Sequence, residues 1–68
     1  MRILRLKDVI EKTGLARSTI YKYVDTGDFP KQISLGGRSV GWVDSEVHEW
    51  IIKAIEERDY QERALIGR

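Results

Sequence analysis

Leu6 to Thr26 reads LKDVIEKTGLARSTIYKYVDT, and this stretch decides the architecture. Leu6, Val9 and Ile10 recur at i, i+3 and i+4, as do Ile20, Tyr23 and Val24. That is the period of helices that bury one face. Asp8 and Glu11 sit early in the first segment and Lys12 late, the order the helix dipole prefers. Gly14 stops the first helix and Gly27 the second. The expected helices span residues 7–13 and 17–26, with Leu15 of the turn packing under the second. Two short helices joined through a Gly-containing turn form a helix-turn-helix pattern.

Outward from this pair the texture changes. Arg2-Ile3-Leu4-Arg5, on the N-terminal side, alternates weakly and suits a short strand or an extended arm. On the other side, Phe29-Pro30 ends helical structure, because proline biases the residue before it toward an extended backbone. Gln32-Ile33-Ser34-Leu35 and Val40-Gly41-Trp42-Val43 then flank Gly36-Gly37-Arg38-Ser39, the pattern of a β-hairpin. Its apolar side is expected to carry Ile33 and Leu35 with one or two of Val40, Trp42 and Val43; its tip presents Arg38.

The last element starts at Asp44, a good N-cap, with Glu46 and Glu49 in the first turns. Val47, Trp50, Ile51, Ala54 and Ile55 form an apolar stripe that predicts a third helix over 45–58. Trp42 and Trp50 are expected to be the main ballast of the core. The stripe is lost in DYQERALIGR, which either frays or continues as a helix whose Leu65 and Ile66 need a partner. The expected fold is α+β: a small winged helix-turn-helix, three helices with a two-stranded β-hairpin wing between helices 2 and 3. Residues 1–58 would be this domain and 59–68 a C-terminal tail.

Composition bounds the function. Sixty-eight residues, 41% of them hydrophobic, make one thin core with no second domain. A substrate cleft walled by a large core is not expected, which argues against an enzyme. Without cysteine there are no disulfides or thiolate metal sites. His48 is the only histidine and its neighbours Glu46 and Glu49 lack ligand spacing, so no metal or cofactor is expected. No GxSxG or P-loop occurs. MRILRLKDVIEKTG has no continuous apolar run, so neither a signal peptide nor a membrane span is expected and the location would be cytoplasmic.

The net charge of +1 conceals a split. Residues 1–43 carry eight Lys and Arg against four Asp and Glu, whereas residues 44–68 carry four against seven. A basic front with an acidic back suits a phosphate-bearing partner met by one face. With Ile20, Tyr23 and Val24 turned inward, Arg17, Ser18, Tyr21, Lys22 and Asp25 lie outside or at the edge of the second helix. A helix of this length fits the major groove. Ser18 and Thr19 can donate to phosphates or bases, Lys22 can meet guanine or phosphate, and Arg17 can do either bidentately. The glycines at the hairpin tip allow close approach to a backbone, and Arg38 suits a narrow minor groove. The alternative is a solvated face, with Ser18 or Thr19 capping the helix and Arg38 paired with Asp44.

Arg5-Leu6-Lys7-Asp8-Val9, Thr13 to Tyr21, Phe29-Pro30-Lys31, Leu35 to Trp42 and Glu46-Val47 with Trp50-Ile51 resemble the AlpA-type prophage regulators. These are related to phage excisionases and to the DNA-binding domain of MerR regulators. The resemblance spans about residues 3–55. It implies a second helix in the major groove and a wing on the adjacent minor groove or backbone. That carries Arg17, Ser18, Thr19, Tyr21 and Lys22 to the groove, and Arg38 with Ser39 to the wing. The implied function is a sequence-specific, DNA-binding transcriptional regulator of a prophage or mobile element. The partner is double-stranded DNA, on which the chain would act alone or as a homo-oligomer, with no small-molecule substrate. Two alternatives stand beside it: an excisionase-like factor that bends DNA to direct recombination, and an antitoxin-like protein-interaction module.

Overall fold

A computed structural model of the chain describes the backbone of residues 1–66 and the side chains of residues 1–63. Leu65 and Ile66, named above as needing a partner, have side chains outside the described residues. In chain order the elements are β1 (Ile3–Leu4), α1 (Leu6–Thr13), α2 (Arg17–Thr26), β2 (Ile33–Gly36), β3 (Ser39–Val43) and α3 (Asp44–Ile66). The molecule is a small α+β winged helix-turn-helix. No described helix is long and apolar enough to cross a membrane.

α1 begins where the Arg5 backbone N–H donates to Asp8 Oδ2 at 3.0 Å. It ends at Gly14, whose left-handed φ of 74° no β-carbon resists. Gly27 closes α2 the same way. The tight turn after it is held by the Asp28 N–H on the Tyr23 carbonyl at 2.7 Å.

The Ile3–Leu4 segment is a strand. It pairs antiparallel with β3, Ile3 opposite Val43 and Leu4 opposite Trp42, so the hairpin gains a third strand and the sheet order is β1-β3-β2. Leu4, Val9, Ile20, Phe29, Trp42 and Val47 form the buried core. Each strand and helix except β2 contributes to it. Trp42, wholly buried, donates its indole N–H to the Pro30 carbonyl at 3.0 Å.

Three expectations are corrected here. Ile33 and Leu35 are not on the core side of the hairpin: they are 39% and 42% exposed. Ile33 pairs with Gly41, which shares its face, while the next residue Trp42 points to the core. Leu35 is the extra residue of a bulge between the Ser34–Val40 and Gly36–Ser39 pairs. It lies over Gly41 beside Ile3. β2 therefore overhangs the core instead of lining it.

The α3 stripe is the second correction. Val47 alone is buried; Trp50 and Ile51 are half-buried, and Ala54 and Ile55 are exposed. The body is too small to cover more than the first turns of this helix. Trp50 thus works at the core's edge, packing edge-on against Phe29 at 5.0 Å between ring centroids and donating its indole N–H to the Asp28 carbonyl at 2.6 Å.

Third, α3 does not stop at 58 but runs unbroken to Ile66. The residues beyond 55 are good helix formers in water, and Arg58–Glu62 and Asp59–Arg63 stand at i, i+4 with opposite charge. Helix-forming residues carry the helix past the point where burial ends.

Candidate nucleic-acid interface

α2 presents its outer face because Ile20 anchors the inner one, fully buried, with Tyr23 and Val24 half-buried beside it. Arg17, Ser18 and Lys22 are exposed. Ser18 and Lys22 are i, i+4 neighbours and stack on one face, whereas Arg17 stacks over Tyr21. Lys22 and Arg17 thus lie outside the core stripe on different sides of the outer face. Asp25 is exposed too, near Ser18 and Lys22 by helical spacing. Thr19 and Tyr21 are half-buried flanks. Neither Ser18 nor Thr19 caps the helix: Ala16 holds the cap position and offers no side-chain bond.

Tyr21 differs from the other candidate residues. Its ring lies 6.2 Å from that of Trp42, tilted by 59°, and packs against the core cluster. Tyr21 therefore joins α2 to the wing strand β3 as well as bordering the outer face. This double role was not readable from spacing, since the partner is 21 residues away.

The wing tip is a two-residue connection, Gly37-Arg38, between Gly36 and Ser39, which pair. Gly37 has φ 55° and Arg38 does not have a positive φ, the sign pattern of a type II′ turn with glycine first. Arg38 is exposed and Ser39, the first residue of β3, is half-buried. Arg38 does not pair with Asp44. That carboxylate is taken by Lys12 Nζ, which ties the end of α1 to the start of α3. The hydrogen bond from Lys12 holds the Asp44 carboxyl below the ordinary aspartate range. The Asp44 backbone N–H meanwhile donates to the Arg2 carbonyl at 2.9 Å.

Among the described residues, Lys12 is the one cation of residues 1–43 that enters an ion pair. Arg2, Arg5, Lys7, Arg17, Lys22, Lys31 and Arg38 are all exposed, with no ion pair among the described residues. No set of three His, Cys, Asp or Glu able to hold a metal occurs among the described residues.

Residues 2–55 match the family of the prophage CP4-57 regulatory protein, AlpA. The chain is 47% identical over 57 residues to the DNA-binding transcriptional activator AlpA of Escherichia coli K12, spanning 75% of this chain and 81% of that one. It is 47% identical over 57 residues to the ORF88 protein of enterobacteria phage P4, which covers 84% of this chain but 65% of the phage protein. The match takes in β1, α1, α2, the wing and the anchored turns of α3 and stops at Ile55, one turn past Ile51, the last α3 side chain packed against the core. The chain belongs to the AlpA family of prophage regulatory proteins.

Proposed function

We propose that this chain is a sequence-specific, DNA-binding regulator of transcription from a prophage or mobile element. α2 enters the major groove and the wing tip follows the adjacent minor groove. The observation that carries the reading is the exposed, unpaired Arg17, Ser18 and Lys22 on α2, together with an exposed Arg38 at the wing tip, in a chain whose acidic residues are concentrated in α3. Such cations bind phosphates by releasing counterions, and the outer α2 side chains are of the types that read base edges.

The E. coli relative is by name an activator, and that favours activation over repression for this chain as well. In the proposed complex Ser18 and Lys22 face the groove floor. Arg17 grips the backbone at the start of the helix, and Tyr21 and Thr19 border the contact. Arg38, with Ser39 behind it, adds affinity with a preference for A·T-rich flanks, where the minor groove narrows.

The test is a selection from a random-sequence duplex library, followed by titration of the selected duplex at two salt concentrations. A steep fall of affinity with salt and a recurrent sequence are expected. Equal affinity for selected and scrambled duplexes would remove sequence specificity, and salt-independent binding would remove the phosphate contacts.

A further inference from the structure

One stripe of α3 runs off the body into water. Trp50, Lys53, Glu57 and Tyr60 stand at i, i+3, i+7 and i+10 and fall within about 80° of one another around the helix. Trp50 is half-buried against Phe29, Lys53 and Glu57 are exposed, and Tyr60 is 73% exposed. Beside the first part of the stripe lies a hollow of about 480 Å³, walled on one side by the Gly27–Pro30 linker and on the other by Trp50, Lys53, Ala54 and Glu57. Lys53 is four residues from Glu49 and four from Glu57, and among the described residues it pairs with neither. Arg58 is engaged elsewhere: its Nε donates to Asp59 at 3.0 Å and its terminal nitrogen at 2.8 Å, off the stripe. The order along the stripe is aromatic, cation, anion, aromatic, which is its own complement when reversed.

We infer that this stripe docks on the same stripe of a second copy of the chain, the two α3 helices running antiparallel about a two-fold axis midway between Lys53 and Glu57. Residues equally far from that midpoint then stand opposite each other. Lys53 meets the partner's Glu57, and Trp50 meets the partner's Tyr60. The symmetry makes each pair occur twice. This register sets no like charges against each other: Glu49 faces the partner's Gln61, Glu56 the partner's Ala54 and Glu62 the partner's His48. The distal half of each α3 lies along the proximal half of the other, and Tyr60 enters the hollow beside the partner's Trp50. Charge complementarity selects this occupant. A surface of one sign, nucleic acid and anionic lipid included, satisfies Lys53 or Glu57 and repels the other. The same stripe laid antiparallel satisfies both. Trp and Tyr are also the side chains that most often anchor interfaces. The pairing does not depend on the DNA reading above.

The experiment is sedimentation equilibrium of the full chain without DNA, at concentrations up to about 1 mM. It is run on the native chain, on Lys53→Glu, on Glu57→Lys, and on an equimolar mixture of these two variants. A concentration-dependent dimer is expected for the native chain. Each reversal alone sets like charges against each other at both sites and should weaken dimerisation about tenfold or more. In the mixture one chain supplies carboxylates at positions 53 and 57 and the other supplies ammonium groups, so the dimer should return as a heterodimer. Tyr60→Ser should weaken the native dimer too. Ile55→Ser should leave it within about twofold, because Ile55 lies about 140° around α3 from Trp50. A native chain that stays monomeric up to about 1 mM overturns the proposal. So do single reversals that leave the dimer intact, and so does a mixture that fails to restore it. A dimer lost in Ile55→Ser but kept in Tyr60→Ser also overturns it, by assigning the contact to the other side of the helix. DNA takes no part in the measurement, so its result holds whatever the library selection returns.

Discussion

The ring of Tyr21 on α2 and the ring of Trp42 on β3 meet at 6.2 Å and 59°, so the helix proposed for the major groove and the strand that carries the wing share one packing contact. Trp42 is buried against the core, and its indole N–H is fixed on the Pro30 carbonyl. The angle between the two proposed DNA-contacting elements is thereby set inside the protein. Trp42→Ala removes this junction and opens the core. It should cost about 3–5 kcal/mol, nearly the whole stability of so small a domain. Circular dichroism at room temperature should show a largely unfolded chain. Trp50→Ala should cost less, because Trp50 is only half-buried; a larger loss at Trp50 than at Trp42 would reverse the assignment of core and edge.

Lys22 is exposed on the outer face of α2 beside Ser18. Lys22→Ala should weaken binding to the selected duplex by about 1–3 kcal/mol if the ammonium reads a base, or lower the salt slope by about one if it holds a phosphate. Titrations at two salt concentrations separate the cases. No change in either quantity would remove Lys22 from the interface.

Arg38 stands at the wing tip without the carboxylate partner that would make it structural, since Asp44 is engaged by Lys12. Arg38→Ala should lower affinity on every duplex variant and flatten the preference for A·T flanks, with an unchanged thermal melt. A lowered melting temperature with unchanged affinity would return Arg38 to the fold.

Gly41 sits on the central strand where a β-carbon would lie 2.5 Å from Ile3 Cγ2 and 3.1 Å from the Leu4 carbonyl oxygen. Gly41→Ala should therefore destabilise the domain by about 1–3 kcal/mol through forced displacement of β1. Ile3→Ala removes the nearer obstacle, so the double variant should lose less than the two single losses added together. Strict additivity in chemical denaturation would mean that Ile3 is not the obstacle.

The Lys12–Asp44 pair carries a pH signature. Its carboxyl titrates below the ordinary aspartate range in the folded chain, chiefly through the hydrogen bond from Lys12. A depressed carboxylate contributes stability that is present above its unfolded value and fades as pH falls through the folded one. Between neutrality and the ordinary aspartate range the contribution is constant, and below that range it declines. Lys12→Met should shrink the acid-side decline in melting temperature. An identical pH profile in the variant would show that the pair is energetically silent, the common outcome for exposed pairs.

How much of this was legible in the chain depends on where packing decides. The α2 boundaries, 17–26, follow from the Ile20–Val24 stripe and Gly27, both local signals, and agree with the structure. The exposed α2 side chains follow from the same stripe. For Ile3 and Leu4 the sequence left a short strand and an extended arm open, because the choice is made only by pairing with Val43 and Trp42, some 40 residues on. The outward turn of Ile33 and Leu35 was hidden for a related reason. Period-2 alternation marks two faces but does not say which one meets the helices, and the bulge at Leu35 breaks the count. Whether α3 ended near 58 or continued through the tail was left open because apolar periodicity reports burial, and this helix continues without it. Close approach at Gly41 leaves no trace in spacing at all.

The Asp28–Pro30 linker is held by two indole N–H groups, Trp50 on the carbonyl of Asp28 and Trp42 on that of Pro30. These are the only tryptophans in the chain, so its intrinsic ultraviolet emission comes mainly from the two sides of this one linker. Trp42, shut away from water, should emit to the blue of Trp50. Wavelength shifts during a titration would then read out separately whether the linker's inner or outer fastening has moved. The molecule contains its own optical strain gauge, sited between α2 and the wing, and needs no dye to report whether binding one partner pulls on that joint.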